Sequence, residues 1–286
     1  MNSVLFEIDH NARRDYPYID YHVQNINFLA HFHEEIEIVV VTDGAVDIVC
    51  DNYCYTAKKD DICVFMPTQI HSFSSSQPNR LHIFKMYCKH SLKKTDFTSM
   101  RFEGNTLKKG SLLNREIRAL TDKIVEESIM QKIGFEYMIN SIMQNILSLL
   151  LRSDKLFKID SESKNRQFFY LNLLNNVNVY IGEHYSEAIT LKDICSHCNL
   201  SEYYFAHVFK LATNSTFVNY LTAYRLEKSL PLLLHSDKKI IDIALECGFF
   251  NTRSFNRAFQ KFFSMTPSEY KIQRSCSKIQ LAKRKK

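Results

Sequence analysis

Three histidines and one glutamate are the residues best suited to metal or polar-ligand chemistry: His31, His33, Glu37 and His71. Alternate residues of a β-strand face one side of a sheet, so an extended segment would place the first three on one face. His71 could join them from a neighbouring strand. Imidazole nitrogens and a carboxylate are typical ligands of divalent transition metals. The four side chains could instead line a metal-free pocket for an organic effector, which we favour, or be purely structural. We therefore assign no metal and expect no cofactor.

A second candidate surface lies in two short segments of the C-terminal third, residues 201–211 and 251–262. Apolar residues at helical spacing predict an amphipathic helix in each segment. Arginine and lysine bind guanine or phosphate and asparagine can read adenine, so the polar faces suit DNA. The side chains predicted on those faces are Tyr203, Ala206, His207, Lys210, Thr252, Arg253, Asn256 and Arg257. The buried stripes are predicted to contain Tyr204, Phe205, Phe209, Phe255 and Phe259.

Each segment follows a shorter amphipathic stretch and a turn, so two helix-turn-helix units are predicted. Thr190 has capping-box spacing to Asp193, and Ser201 is a typical helix N-cap. We interpret the second unit as a direct repeat of the first, pairing Asp242 with Asp193, Gly248 with Asn199 and Phe259 with Phe209. Two short helices joined by a tight turn are the minimal device for placing one helix in a DNA major groove.

Residues 172–270 resemble the DNA-binding region of the AraC/XylS family of transcription regulators. The motifs that carry the resemblance are Tyr224-Arg225-Leu226, Ile243-Ala244, Cys247-Gly248-Phe249, Ser254-Phe255 with Phe259, and Thr266-Pro267 with Tyr270. The resemblance implies a sequence-specific regulator of transcription that inserts two recognition helices into successive major grooves. It also implies double-stranded DNA and RNA polymerase as partners, and tilts the prediction toward an activator rather than a repressor.

The sequence departs from the family pattern at a few positions in this region. Asn214 and Ser264 stand where the family usually has glycine, and Asn tolerates a left-handed helix end. Pro231 lies inside the predicted connecting helix, where it should produce a kink. Lys239 replaces a usual capping Ser or Thr. The proline puts the rigid spacing of the two units in question.

The N-terminal part is predicted to be a β-barrel that resembles the cupin fold. Strand-like runs cover residues 35–42, 46–50, 62–66 and 81–88, and Asp43-Gly44 is a hairpin-turn signal. The cupin resemblance rests on the His-x-His, Glu and Gly spacing that begins at His31, with Asp60 standing where a glycine is usual. Such a barrel implies a small-molecule effector of unknown identity.

Two apolar stripes within residues 110–156, separated by Gly134, predict a helical hairpin. They exceed what the barrel needs, so we expect one helix to form a two-fold homodimer, with simple packing on the barrel as the alternative. The predicted fold is α+β and multidomain. The predicted boundaries are 1–107 for the barrel, 108–156 for the hairpin, 157–167 for a linker, 168–274 for an all-α DNA-binding domain and 275–286 for a basic tail.

Composition agrees with a two-domain cytoplasmic protein. The chain has 286 residues, no long apolar run and no secretory leader pattern, so we expect no contact with membranes. Residues 168–286 carry 16 Lys+Arg against 9 Asp+Glu, whereas residues 1–167 are nearly neutral. This asymmetry points to nucleic acid at one end only. The eight cysteines are expected to be reduced, and Cys195 and Cys198 are expected to serve core packing rather than metal or redox chemistry.

Two other function classes remain open from the residues. The His/Glu cluster would also fit a metal-dependent cupin enzyme fused to a DNA-binding domain, although no paired general acid and base is recognisable. An adaptor acting through protein contacts is the third possibility. Turnover of a small molecule would identify the enzyme, and failure of the C-terminal part to bind DNA would identify the adaptor.

Overall fold

The computed structural model describes residues 18–24, 28–51, 53–75, 78–87 and 95–272. The chain divides into two compact units, with the boundary between Leu171 and Asn172, and each unit is described by itself. The predicted basic tail, 275–286, and residues 1–17 of the predicted barrel lie outside the described residues.

The N-terminal unit contains two antiparallel sheets that enclose an apolar core. Its strands are β1 (Tyr18–Gln24), β2 (Phe28–His31), β3 (Glu35–Asp43), β4 (Ala45–Cys50), β5 (Tyr53–Lys58), β6 (Ile62–Phe65), β7 (His71–Ser74), β8 (Arg80–Tyr87), β9 (Met100–Phe102), β10 (Thr106–Leu107) and β11 (Leu156–Lys158). One sheet has the order β1-β8-β3-β6-β10 and the other β2-β7-β4-β5, while β9 pairs with β11. The four predicted strands are confirmed within one residue at each end. The predicted runs did not include β2, β5, β7, β9, β10 or β11.

Strand β3 is buried on both faces. Val39 and Val41 point between the two sheets and pack with β4 residues such as Ile48. Ile36 and Ile38 point the other way, into a core shared with the helical hairpin. This double burial explains why β3 is a nearly continuous apolar run rather than an alternating one.

The helical hairpin is confirmed as α1 (Leu112–Met130) and α2 (Phe135–Arg152). The Ser111 side chain accepts a hydrogen bond from the Asn114 N–H and caps α1. The turn between the helices contains Gln131 and Gly134, both in the left-handed region. Asp60, at the position where the cupin pattern has glycine, also has a positive φ of 74°, so the chain keeps the backbone shape without the glycine.

The segment predicted as a linker, residues 157–167, has regular secondary structure. β11 pairs with β9 in an antiparallel ladder, and α3 (Ser161–His184) begins seven residues earlier than predicted. The Asp160 side chain accepts the Ser163 N–H at 2.7 Å, which is an N-terminal capping bond. Polar composition suggested a linker, but a cap and a long-range strand pairing order this segment.

The C-terminal unit is helical, as predicted. After α3 follow α4 (Leu191–His197), α5 (Glu202–Thr213), α6 (Phe217–His235), α7 (Ile240–Glu246), α8 (Thr252–Phe263) and a helix over residues 267–272. Asn214 and Ser264 have φ values of 52° and 55°, so both form the left-handed helix ends that usually require glycine. Helix α6 continues through Pro231 to His235.

Arg225 joins the two helix-turn-helix units. Its side chain, on the connecting helix α6, donates hydrogen bonds to the carbonyls of Tyr185 (2.7 Å) and Glu187 (2.6 Å) in the loop before α4. Gly248, in the turn of the second unit, lies against the same place. A Cβ on Gly248 would be 2.3 Å from the Tyr185 oxygen and 2.8 Å from Arg225 Nε. The loop before the first unit, the connecting helix and the second turn therefore meet at one point.

Gly248→Ala should destabilise the full-length protein by about 2–4 kcal/mol, because it adds a left-handed alanine and a steric clash. The clash is with main-chain atoms, which cannot rotate away. Chemical unfolding followed by far-UV circular dichroism is the suitable measurement, since the chain has no tryptophan.

Gly182→Ala is the matched control for this substitution. Gly182 lies within α3, and its added Cβ would be 3.5 Å from the Tyr224 hydroxyl, an ordinary contact. We expect a neutral effect or a gain of up to about 1 kcal/mol from helix propensity. Similar unfolding curves for both variants would contradict the junction described at Gly248.

Candidate nucleic-acid interface and barrel interior

Helix α5 exposes the four polar-face residues predicted from the sequence. Ser201 caps the helix by accepting the Tyr204 N–H, and Phe205, Val208 and Phe209 are buried beneath it. The exposed set on the opposite side is Tyr203, Ala206, His207 and Lys210. Tyr204 was expected in the buried stripe but is 46% exposed, because it lies at the edge of that stripe and turns outward.

Helix α8 is built in the same way. The Asn251 side chain accepts the Ser254 N–H at 2.8 Å and caps the helix, while Phe255 and Phe259 are fully buried. Arg253, Asn256 and Arg257 are exposed and Thr252 is half-buried. The phenylalanines of both helices are therefore core, as predicted.

The cations of the two faces are available for an anionic partner. Within the part of the chain that the structure describes, no acidic side chain forms an ion pair with Lys210, Arg253 or Arg257. Two guanidinium groups at the start and middle of α8 and an ammonium group in the last turn of α5 can bind phosphate or guanine edges.

The second unit repeats the first with the predicted pairings, whose separation changes from 49 residues at Gly248 to 50 at Phe259. The N–H of Leu200 bonds to the Cys195 carbonyl, and the N–H of Phe249 bonds to Ala244, positions that are 49 residues apart. The helix caps Ser201 and Asn251 are 50 apart. The second turn therefore contains one additional residue.

That additional residue is Phe250, whose side chain is 92% exposed. It lies immediately before the Asn251 cap, at the end of α8 that enters a groove first in helix-turn-helix proteins. Sequence reasoning missed it, although the change in spacing from 49 to 50 was readable. A large apolar side chain in this position calls for a functional explanation.

Inside the barrel, the structure brings the four predicted residues together. His31, His33, Glu37 and His71 are all buried, and one potential ligand atom from each lies within 4.8 Å of the others. His33 Nε2 is 3.0 Å from Glu37 Oε2, and His71 Nε2 is 3.5 Å from Glu37 Oε1. The four residues predicted to share one site thus lie close together in the structure.

Lys85 is the member that sequence reasoning missed. Its Nζ lies 3.0 Å from Glu37 Oε2, and both side chains are buried. Lys85 on β8 stands opposite Glu37 on β3 in the strand register. Alternation along β8 carried the signal, because Leu81 and Ile83 on the same face also point into the barrel.

The protonation states follow from burial and charge. Burial and the neighbouring Lys85 ammonium lower the pKa of His33 to about 4, and burial lowers the pKa of His31 well below its ordinary value. Burial opposes ionisation of Glu37, but the neighbouring Lys85 ammonium outweighs it and holds the pKa of Glu37 well below the usual range. At neutral pH the cluster therefore contains a carboxylate, an ammonium and at least two neutral imidazoles.

Comparison with known proteins places both units. A family model described as a helix-turn-helix domain matches residues 194–273, and one described as an AraC-like ligand binding domain matches residues 17–146. The transposon Tn10 TetD protein of Escherichia coli is 31% identical over 118 residues, which are 41% of this chain and 85% of TetD. The chain belongs to the AraC family of transcription regulators.

Other AraC-family relatives match along most of the chain. The melibiose operon regulatory protein of Escherichia coli K12 is 24% identical over 267 residues, covering 88% of this chain and 86% of that protein. The structure of unsaturated fatty acid-bound ToxT from Vibrio cholerae matches 90% of this chain and 95% of ToxT, with a TM-score of 0.50 and 15% identity. That likeness supports the two-domain AraC-type fold. None of the helices in the described residues has the length and apolarity needed to cross a bilayer.

Proposed function

We propose that this AraC-family regulator reads one long, asymmetric DNA site by inserting α5 and α8 into successive major grooves on one face of the duplex. The observation that carries the proposal is the pair of capped helices whose polar faces are exposed, with cations that have no ionic partner in the described chain. Adjacent major grooves on one face lie about 34 Å apart, a spacing that one monomer can meet if its units are rigidly joined.

The contacts divide by chemistry into specifying and positioning ones. Arg253 and Arg257 are assigned to guanine edges or phosphate, and Asn256 to adenine. Tyr203 and His207, with Ala206 between them on the exposed face, are assigned to base edges or thymine methyl groups. Lys210 is assigned to phosphate, and Thr252 to positioning at the start of α8.

Phe250 is proposed to extend the second contact region. It lies at the N-terminal end of α8, and an aromatic edge can pack on a thymine methyl or a sugar. Burial in the complex would explain why a side chain that is 92% exposed is kept at that position.

The barrel is proposed to sense a small organic effector rather than to catalyse a reaction. The relatives that match both units are named as regulators, which supports sensing. His31, His33, Glu37 and His71 are the proposed polar lining. Activation through contact with RNA polymerase, in the cytoplasm, is the proposed mode of action.

The helical hairpin is proposed to form a homodimer. The end of α1, the turn and the start of α2 expose a group of large apolar side chains: Ile129, Met130, Ile133, Tyr137 and Met138. Such a contiguous apolar surface is typical of an association site. A two-fold contact between two copies of this chain would bury this apolar surface without any other protein.

Arg257→Ala should weaken binding to the specific DNA site by about 1–3 kcal/mol, because a base contact is lost. Binding to random DNA should change much less. Fluorescence anisotropy on both duplexes, at several salt concentrations, gives the comparison.

Lys210→Ala is the control for Arg257→Ala, since it removes a side chain with the same positive charge, but from a proposed phosphate contact. It should weaken specific and random DNA alike and reduce the slope of log affinity against log salt by about one unit. Negligible effects of both substitutions would mean that these helix faces do not meet DNA.

Phe250→Ala should weaken specific binding by about 1 kcal/mol, the effect of losing partial burial of an aromatic side chain. Unfolding stability should stay within about 0.5 kcal/mol of the parent, because the ring makes little contact with the protein. Tyr53→Ala, which removes an aromatic that is 76% exposed on β5, is the control. Equal DNA affinity of the two variants would remove Phe250 from the interface.

Ile133→Glu combined with Tyr137→Glu should convert the dimer into a monomer, because charges would be buried in the contact. Light scattering at micromolar protein, with and without DNA, measures the mass. Leu112→Glu, at the other end of α1 and 68% exposed, should leave the dimer intact. A monomeric parent under all these conditions would end the dimer proposal.

A further inference from the structure

The three barrel histidines are oriented by main-chain carbonyls. His31 Nδ1 lies 2.8 Å from the Leu29 oxygen, His33 Nδ1 lies 3.1 Å from the Glu35 oxygen, and His71 Nδ1 lies 2.9 Å from the Gln69 oxygen. A carbonyl oxygen only accepts hydrogen bonds, so each Nδ1 must carry the proton. In a neutral ring, Nε2 is then left with a lone pair; the Nε2 atoms of His33 and His71 both face Glu37, and His31 contributes a ring nitrogen to the same small cluster.

This orientation creates a conflict with Glu37. An ionised carboxylate also only accepts, yet its two oxygens face His33 Nε2 at 3.0 Å and His71 Nε2 at 3.5 Å. Lys85 donates toward Oε2, but Glu37 Oε1 and His71 Nε2 are both buried without a hydrogen-bond partner. A cation between the facing lone pairs would remove this conflict.

We propose that His31, His33 and His71, through Nε2, and Glu37, through Oε1, bind a divalent first-row transition-metal ion. Three imidazoles and a carboxylate match the preference of Zn²⁺ and its neighbours, and the Nδ1–H bonds to carbonyls are the outer-shell support that metal-bound histidines usually have. Ligands at about 2.1 Å from one ion lie about 3.4 Å apart in a tetrahedral site and at most about 4.2 Å apart in an octahedral one, so the 4.8 Å spread must contract by about 1.4 Å or about 0.6 Å, respectively. A metal site departs from the metal-free pocket that the sequence favoured. The proposal of a metal site goes beyond DNA recognition and does not depend on it.

The alternative is a purely structural ion network centred on Lys85 and Glu37. Lys85 occupies Oε2, whereas the proposed ion uses Oε1, so both cations can share the carboxylate. The ammonium and the metal ion repel each other, however. Removal of the Lys85 ammonium therefore distinguishes a metal site from a structural ion network. In a structural network, Lys85 is the ammonium that compensates the charge of Glu37 within the described residues. In a metal site, the ion takes over that role when Lys85 is absent.

The first test is metal stoichiometry on the full-length protein. After chelator treatment and dialysis, we expect one equivalent of Zn²⁺ per chain by equilibrium dialysis with elemental analysis. Co²⁺ should give the ligand-field absorption of nitrogen and oxygen ligands, which distinguishes the barrel from cysteine thiolates.

Matched variants locate that ion. His71→Ala and Glu37→Gln should each weaken Zn²⁺ binding by at least the roughly 10–100-fold seen when an outer-shell partner is lost. His82→Ala, which removes an imidazole from β8 outside the cluster, should bind like the parent. Equal binding by the His71 and His82 variants, or no bound equivalent in the parent, would overturn the proposal.

Lys85→Met keeps the proposal testable if a ligand variant fails to fold. In chelator this variant should melt at a lower temperature than the parent, because Glu37 loses its compensating charge. Adding Zn²⁺ should raise its melting temperature by more than it raises that of the parent. A melting temperature that Zn²⁺ leaves unchanged in both proteins would identify the cluster as a structural ion network.

Discussion

The hydrogen bonds of Arg225 to two main-chain carbonyls fix the geometry on which DNA reading depends. They tie the connecting helix to the loop before the first helix-turn-helix unit, and Gly248 brings the second turn against the same guanidinium. Two helices can enter adjacent major grooves together only at a fixed separation. Arg225 meets this need through hydrogen bonds to backbone groups, so the exposed arginines of α8 remain available for the proposed contacts with DNA. The Tyr224-Arg225-Leu226 motif, one of those that resemble the AraC family, thus connects the two helix-turn-helix units physically.

The barrel shows the opposite design, with charge placed where an apolar core would be more stable. Residues 36–41 of strand β3 are aliphatic except for Glu37, which lies among three histidines and Lys85. Burying charged groups is costly, and well-packed apolar residues would serve folding as well or better. Such a cluster in a ligand-binding type of domain supports the proposal that its residues serve binding rather than stability. The residues of β3 that pack with the hairpin, such as Ile36 and Ile38, alternate with Glu37 and point to the other face.

Local signals in the sequence predicted what is local in the structure. Helical spacing gave both recognition helices, and capping residues such as Ser201 gave their starts. Long-range pairings were not readable: β11 is ordered by β9, and Lys85 becomes part of the pocket only through its register with Glu37. Phe250 shows a different limit. The two helix-turn-helix units resemble one another so closely that the single additional residue in the second turn was not recognised from the sequence.

The most direct measurement of the central claim is a hydroxyl-radical and base-methylation footprint of the full-length protein on its tightest site from a random-sequence DNA selection. Each bound protomer should protect two major-groove patches one helical turn apart on one face, and a five-base-pair insertion between them should abolish specific binding. One protected patch per protomer, or binding that tolerates the insertion, would contradict a rigid pair of recognition helices.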